Sequence, residues 1–140
     1  MTTAAVGPAQ TRGFVLSAYA TFDYADCIAA TSATAFELFR LPLGATVIGG
    51  SFACTTVFNS ATSDSMTVGD TDVDEYVTAY DLTSTGVSKV LGNLLGIAVA
   101  AADRPVNAIW TAVGAVPTTG AGNMLLCYAD PSYNTINYEN

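Results

Sequence analysis

The residues best suited to chemistry lie in one acidic run, SATSDSMTVGDTDVDE, which holds five carboxylates. Asp70, Asp72 and Asp74 occupy alternate positions there, a spacing similar to that of the first ligands of an EF-hand calcium loop. Asp81 stands where that loop has its last, bidentate ligand, but Glu75 replaces the invariant glycine. We therefore predict a solvated acidic loop at a strand end, in which the candidate cation ligands are Asp70, Asp72, Asp74 and Asp81.

Paired carboxylates could also serve glycoside hydrolysis, which places two acidic side chains on either side of the scissile bond. The candidate pairs are Asp23 with Asp26 and Asp70 with Asp74. A sugar-binding cleft also needs stacking aromatic side chains, and the single Trp, Trp110, lies in an apolar strand-like segment where we expect it in the core. These carboxylates are interpreted as surface charges, and no catalytic residue is predicted.

The chain has no His, which excludes Ser-His-Asp and Cys-His mechanisms and His-ligated zinc. Its Cys27, Cys54 and Cys127 form no C-x-x-C pair, so neither a zinc ribbon nor a redox motif is present, and we predict no cofactor. The N-terminal MTTAAVGPAQTR lacks an apolar signal segment, which favours reduced thiols made in a cytosol. Core packing is expected for Cys54 and Cys127.

Charge narrows the classes of partner. The net charge is −8 with only four basic residues, which disfavours nucleic acid and anionic membranes because both require a basic surface. Apolar residues make up 51% of the chain and charged residues 11%, against about 25% charged in an average domain. A surface so poor in charge predicts that part of it is covered by a partner protein.

Periodicity predicts an all-β fold. Apolar residues alternate from Phe14 to Tyr24, as in a half-buried strand. Gly49-Gly50 inside a later strand predicts a bulge or a close approach of another backbone segment. Further strands are expected at 45–58, including Ile48 on the core face, and at 94–101. Residues 29–34 are expected to link two strands, and residues 72–91 to hold a turn or short helix.

Roughly seven or eight short strands with turn signals between them indicate an antiparallel β-sandwich, jelly-roll-like. We predict one such domain over 13–130, between a flexible N-terminal arm (1–12) and a C-terminal tail (131–140).

Two segments carry a resemblance to a known family. LPLGATVIGGSFACTTVFNSATSDSMTVGD (41–70) and WTAVGAVPTTGAG with LLCYAD (110–130) resemble recurrent segments of tailed-phage head decoration, or cement, proteins and related capsid accessory proteins. The resemblance covers 41–129 and contains no catalytic motif. It implies a non-enzymatic, trimeric jelly-roll protein on the outside of the phage head. There it would clamp neighbouring subunits of the major capsid protein after synthesis in the bacterial cytoplasm.

Under this hypothesis the capsid and subunit contacts come from the arm, two polar loops and the tail. The candidate contact residues are Asn59, Ser60, Asp64, Asp70, Glu75, Tyr133 and Tyr138. Two alternatives stay open. One is a carbohydrate- or receptor-binding module of a fibre or tail, which an exposed Trp110 would favour. The other is a shell subunit of another viral lineage, which copy number in the virion would distinguish.

Overall fold

The computed structural model describes residues 15–42, 44–70, 74–89 and 104–129. The predicted arm, the tail with Tyr133 and Tyr138, and the predicted strand at 94–101 lie outside these ranges. The described elements are β1 (Val15–Asp23), α1 (Tyr24–Ala30), β2 (Ala35–Leu41), β3 (Thr46–Thr56), β4 (Ser63–Gly69), β5 (Val77–Asp81), β6 (Gly86–Lys89), β7 (Arg104–Val113) and β8 (Ala121–Ala129).

The strands form two antiparallel four-stranded sheets. Sheet A has the order β1-β8-β3-β6 and sheet B the order β2-β7-β4-β5. The pairs are nested along the chain, since β1 pairs with β8, β2 with β7, β3 with β6 and β4 with β5. A folded hairpin of eight strands wound into two sheets is a jelly roll, so the predicted all-β, jelly-roll-like sandwich is confirmed.

The core lies between the sheets and follows from the period-two pattern of the strands. In β8, Met124 and Leu126 are fully buried and their neighbours are half-buried. In sheet B, the expectation for Trp110 is confirmed, because it is only 5% exposed. Phe22 stacks on Phe52 with ring centroids 5.5 Å apart, which joins β1 to β3. Side chains of both sheets form one continuous cluster.

Helix α1 replaces part of the predicted link after β1. Asp23 and Asp26 form a reciprocal capping box, in which each carboxylate accepts a 3.0 Å hydrogen bond from the other residue's backbone N–H. The helix has seven residues and buries only Cys27. Seven residues are too few for a helical period to be recognised in the sequence. The Asp-x-x-Asp spacing is the signal that could have located the start of the helix.

Strand β3 contains the predicted bulge. Its register with β8 shifts between Val47 and Gly49, and Ile48 is the extra residue. Gly50 has φ +156°, and a Cβ there would collide with the carbonyl oxygen of Leu125, so only glycine fits. The prediction that Ile48 faces the core is wrong, since the bulge leaves it 45% exposed.

The segment 72–91, for which a turn or short helix is predicted, holds the turn 82–85, and its described residues form no helix. The turn joins the two edge strands β5 and β6. Val77 and Tyr80 have a spacing that suits a helix, but Val77 pairs with Val68 and Tyr80 with Met66 in antiparallel register. Pairing with β4 overrides the local pattern.

The loops gather at two opposite ends of the sandwich. The α1 end holds α1, the loop 57–62, the turn 82–85 and the loop 114–120, because β1 and β3 end there and β8 begins there. The terminal end holds the start of β1, the end of β8 and the residues that follow β4.

Candidate interaction surfaces

The structure does not bring the predicted contact residues together. Asn59, Ser60 and Asp64 lie at the α1 end, whereas Asp70 and Glu75 lie at the terminal end, beyond the other end of β4. That they contact a partner stays a prediction. The bonds they make inside the protein, described next, show what each of them does in the fold.

Asn59 connects the two longest loops of the α1 end. Its side-chain oxygen accepts hydrogen bonds from the backbone N–H groups of Thr118 (2.7 Å) and Thr119 (3.2 Å). Its side-chain amide donates to the hydroxyl of Thr118 at 3.0 Å. The loop 57–62 is therefore fixed against the loop 114–120 by one exposed side chain.

Asp64 is a buried carboxylate, 2% exposed, that organises the same end of the sandwich. Its Oδ1 accepts hydrogen bonds from the Ser60 hydroxyl (2.8 Å) and from the indole Nε1 of Trp110 (2.9 Å). Its Oδ2 accepts a bond from the Ser60 backbone N–H at 2.9 Å. These bonds satisfy a charge that is otherwise costly to bury, and they turn the Trp110 ring toward the core rather than toward a ligand.

At the terminal end, the residues after β4 form a second polar cluster. The Asp70 carboxylate accepts a 2.9 Å bond from the Tyr76 hydroxyl, and the Asp70 backbone N–H donates to Glu75 at 3.2 Å. Glu75 is buried, with 6% of its surface exposed. Both predicted contact residues of this segment therefore help to shape the connection between β4 and β5.

Two of the four candidate cation ligands, Asp74 and Asp81, do not lie side by side. Strand β5 separates Asp74 from Asp81, which lies at the α1 end opposite Ser65. Asp81 instead accepts bonds from the backbone N–H (2.9 Å) and hydroxyl (2.6 Å) of Thr83, which lower its pKa. Asp72 lies outside the described residues, among which no group of three His, Cys, Asp or Glu could hold a metal ion.

Asp23 and Asp26, a candidate glycosidase pair, form the cap of α1, where both carboxylates accept hydrogen bonds from backbone N–H groups. The part of the chain that the structure describes also has no helix long and apolar enough to cross a membrane.

The three thiols are free and lie in different environments. Cys27 is fully buried, and burial together with the carboxylates of Asp26 and Asp23 raises its pKa to about 12. Burial also raises the pKa of Cys54, which lies in the core as expected. The expectation for Cys127 is wrong: it alternates with the buried Met124 and Leu126 positions and lies half-buried on the outer side of sheet A.

The outer side of sheet A is a candidate interaction surface that the sequence reasoning missed. Strand alternation and register place 11 uncharged residues of β1, β8 and β3 at its centre. Two charged residues lie at its margins: Asp23 at the end of β1, and Lys89 of the edge strand β6, which pairs with Ser51. We call the 11 central residues the uncharged face: Val15, Ser17, Tyr19, Thr21, Asn123, Leu125, Cys127, Ala129, Gly49, Ser51 and Ala53. Val15 is 63% exposed and Tyr19 61%. The alternating residues of β1, Val15, Ser17, Tyr19 and Thr21, were the available signal, because the solvent side of this strand carries no charge before Asp23.

The outer side of sheet B has a different character. Glu37 and Arg40 form an exposed ion pair there, with Arg40 Nε 2.9 Å from Glu37 Oε1. Strand β4 contributes Ser63, Ser65 and Thr67 to this side, and Asp81 lies beside Ser65. Charges and hydroxyl groups make this side a conventional solvated surface.

The α1 end carries a second apolar surface. Val116 is 68% exposed and Val113 55% exposed, next to the partly exposed Ile28 and Val57. A cavity of about 260 Å³ opens between α1 and this loop. Its lining consists of Ile28, Thr31, Ser32, Trp110, Ala112, Gly114, Ala115 and Val116. Exposed apolar groups of this kind mark contacts with other proteins.

The jelly roll is shared with three chains from phage structures. The first, from the capsid asymmetric unit of cyanophage Pam1, is 20% identical with a TM-score of 0.68, over 85% of this chain and 86% of that one. A chain of the acidic stable capsid of Helicobacter pylori bacteriophage KHP30 is 19% identical, with a TM-score of 0.61 over 84% and 88%. A chain of the capsid of Ralstonia phage GP4 is 18% identical, with a TM-score of 0.57 over 85% and 86%.

Neither a family model nor a curated protein matches this chain. At such identities the likeness concerns the fold, and that fold spans nearly the whole of each chain compared. The chain therefore has the same fold as these three chains from phage capsid structures.

Proposed function

We propose that this chain is a structural protein of a bacteriophage virion and that its place is the head. The observation that carries the proposal is the shared jelly roll, which covers at least 84% of this chain and 86% of each capsid chain. Coverage that is nearly equal in both directions means that the compared chains are similar in length to this one. The likeness is therefore to whole capsid components and not to one domain of a larger shell protein.

Within the head, we propose that the protein is a decoration or cement protein that binds the outside of the shell. The resemblance of residues 41–129 to that family supports this role, as do the uncharged face and the apolar surface at the α1 end. In this role the protein forms a homotrimer and clamps neighbouring subunits of the major capsid protein. A ligand that binds only the assembled shell stabilises the shell by mass action.

The surfaces suit such a role. The exposed apolar groups Val113 and Val116 beside Asn59 offer a contact that gains free energy when it is removed from water, at about 25 cal/mol per Å² of apolar area. We therefore propose the α1 end, together with the loop 57–62, as the region that meets the shell. The residues Asp70, Glu75, Tyr133 and Tyr138 remain candidates for contacts at the other end.

The test is reconstitution on phage shells that lack the protein. Purified protein is titrated onto these shells, and the melting temperature of the shell is followed by calorimetry while cryo-electron microscopy locates added density. We expect a saturable rise in melting temperature and density on the outer surface. Val116→Asp should weaken this binding, and Thr111→Asp on sheet B is the matched control.

Two results would contradict the role. Shells that bind no protein under any condition would exclude decoration. Failure of any shell to assemble without this chain, with a copy number equal to that of the main shell protein, would identify a shell subunit instead. A role in carbohydrate binding is not supported, because Trp110 is buried and bonded to Asp64.

A further inference from the structure

We propose that the uncharged face of sheet A is the surface through which copies of this chain associate with one another. The inference deepens the proposed function and rests on it in one respect, that a head protein acts in many neighbouring copies. It goes further by naming the surface, the occupant and a thiol that reports on the contact.

Electrostatics favours this face as the contact between copies. Each copy has a net charge of −8, so two copies repel, and carboxylates inside their contact would add to the repulsion. The chain has only four basic residues, so few such carboxylates could be paired with a base across the contact. The uncharged face keeps carboxylates out of the centre of the contact and leaves only Asp23 and Lys89 at its margins. A surface that binds a basic partner would instead carry carboxylates, like the outer side of sheet B, which has Glu37 and Asp81.

The second argument is the area and shape of the face. Three strands of nine residues span about 440 Å² in projection, which is about half of the roughly 800 Å² per partner in a standard interface, so the face can supply the central part of such a contact. Val15, Tyr19 and Leu125 supply apolar contact area, since the first two are largely exposed and Leu125 is half-buried. Gly49 and Ser51 in the adjacent strand leave room for another sheet to approach closely.

The third argument is the edge of the sheet. Strand β1 pairs with β8 over nine residues without a register shift, and its other edge has no strand partner among the described residues. Exposed edges are usually protected by charges, prolines or bulges. Residues 15–22 contain none of these, and the first charge is Asp23 at the helix cap. An edge without protection, beside an uncharged face, is expected to be covered in the functional assembly.

The test compares two arginine substitutions at exposed strand positions. Tyr19→Arg places a charge on the uncharged face, and Thr111→Arg places the same charge on the outer side of sheet B. Native mass spectrometry and sedimentation velocity report the mass relative to the 14.4 kDa chain. We expect the wild type and Thr111→Arg to be oligomers. The protein concentration at which Tyr19→Arg is half dissociated should be at least ten times higher than that of the wild type. Circular dichroism and Trp110 fluorescence establish that both variants are folded.

Cys127 provides an independent readout at the centre of the face. Alkylation rates are measured by mass spectrometry, and the buried Cys27 and Cys54 serve as internal controls. We expect Cys127 to be protected in the wild-type oligomer and in Thr111→Arg, and to react readily in Tyr19→Arg. A wild type that is monomeric at all concentrations, or an oligomer in which Cys127 reacts at the monomer rate, would overturn the proposal.

The outcomes also separate this inference from the proposed function. If the protein is monomeric and Cys127 becomes protected only on shells, the face binds the shell; the head role then stands and this inference fails. If oligomers form through the face but do not bind shells, this inference stands and the decoration role fails.

Discussion

At the residue scale, the buried carboxylate of Asp64 accepts three hydrogen bonds at the α1 end. It accepts the backbone and hydroxyl groups of Ser60 and the indole of Trp110. Asp64→Asn keeps the shape of the side chain but replaces one acceptor oxygen with an NH₂ group. This donor then faces an N–H or O–H donor of Ser60 or Trp110. We expect a loss of about 1–3 kcal/mol in the free energy of unfolding.

The measurement for Asp64→Asn is urea denaturation followed by Trp110 fluorescence, because Trp110 is the only Trp. Glu37→Gln is the matched control, since it removes a carboxylate from an exposed ion pair whose contribution is at most about 1 kcal/mol. Equal stability of the two variants would show that the Asp64 bonds contribute little.

Cys27 predicts a loss of stability at alkaline pH. Its pKa in the folded protein is raised to about 12 from 9.0, so the unfolded chain ionises first as the pH rises. The contribution of Cys27 is therefore complete below about pH 9 and declines between pH 9 and 12. We expect the wild type to lose more stability than Cys27→Ala over this range in urea titrations. Parallel curves for the two proteins would contradict the expectation.

At the scale of elements, the glycine pair of β3 allows a direct test of the bulge. Gly50→Ala introduces a Cβ against the Leu125 carbonyl at a positive φ and should cost about 3 kcal/mol or more, from backbone strain and overpacking. Gly49→Ala has no heavy atom within 4 Å of its new Cβ, and we expect a change of at most about 1 kcal/mol. Chemical denaturation of both variants at one protein concentration measures the difference, and similar values would show that the strand relaxes around residue 50.

The strands that the sequence predicts well are those with one buried side. In β1 and β8, alternation identifies the strand and the residues that point inward, such as Phe22 and Leu126. Ile48 breaks the pattern because a bulge adds one residue and shifts the phase of the strand. Edge strand β5 was missed because only its pairing with β4 distinguishes it from a helical turn.

The interaction surfaces were harder to predict than the fold. Asn59 and Asp64 are predicted as contacts because they belong to a polar loop region, and in the structure both side chains join loops and strands. The uncharged face consists of unremarkable residues, such as Ser17 and Cys127, that become a surface only when three strands lie side by side. Its recognition required the register of the sheet.

At the scale of the whole molecule, the net charge of −8 makes association sensitive to salt. Copies that meet through an uncharged face gain apolar contact but retain long-range repulsion between their carboxylates. Salt screens this repulsion, since the Debye length falls from about 30 Å at 0.01 M to about 10 Å at 0.1 M. We therefore expect the self-dissociation constant to fall as NaCl is added, as measured by sedimentation equilibrium. A contact made by ion pairs would respond in the opposite direction.

The nested pairing of the strands also determines how far apart in sequence the partners are. Val15 and Ala129 are neighbours across β1 and β8, although they bound the whole described chain. Closing such distant pairs slows folding, because chain entropy is lost before the contact forms. A circular permutant that joins these strands through a short linker and opens the chain in the turn 82–85 would turn the most distant pair into a local hairpin. The permutant would keep the jelly roll, fold faster than the parent, and present its new termini at the α1 end.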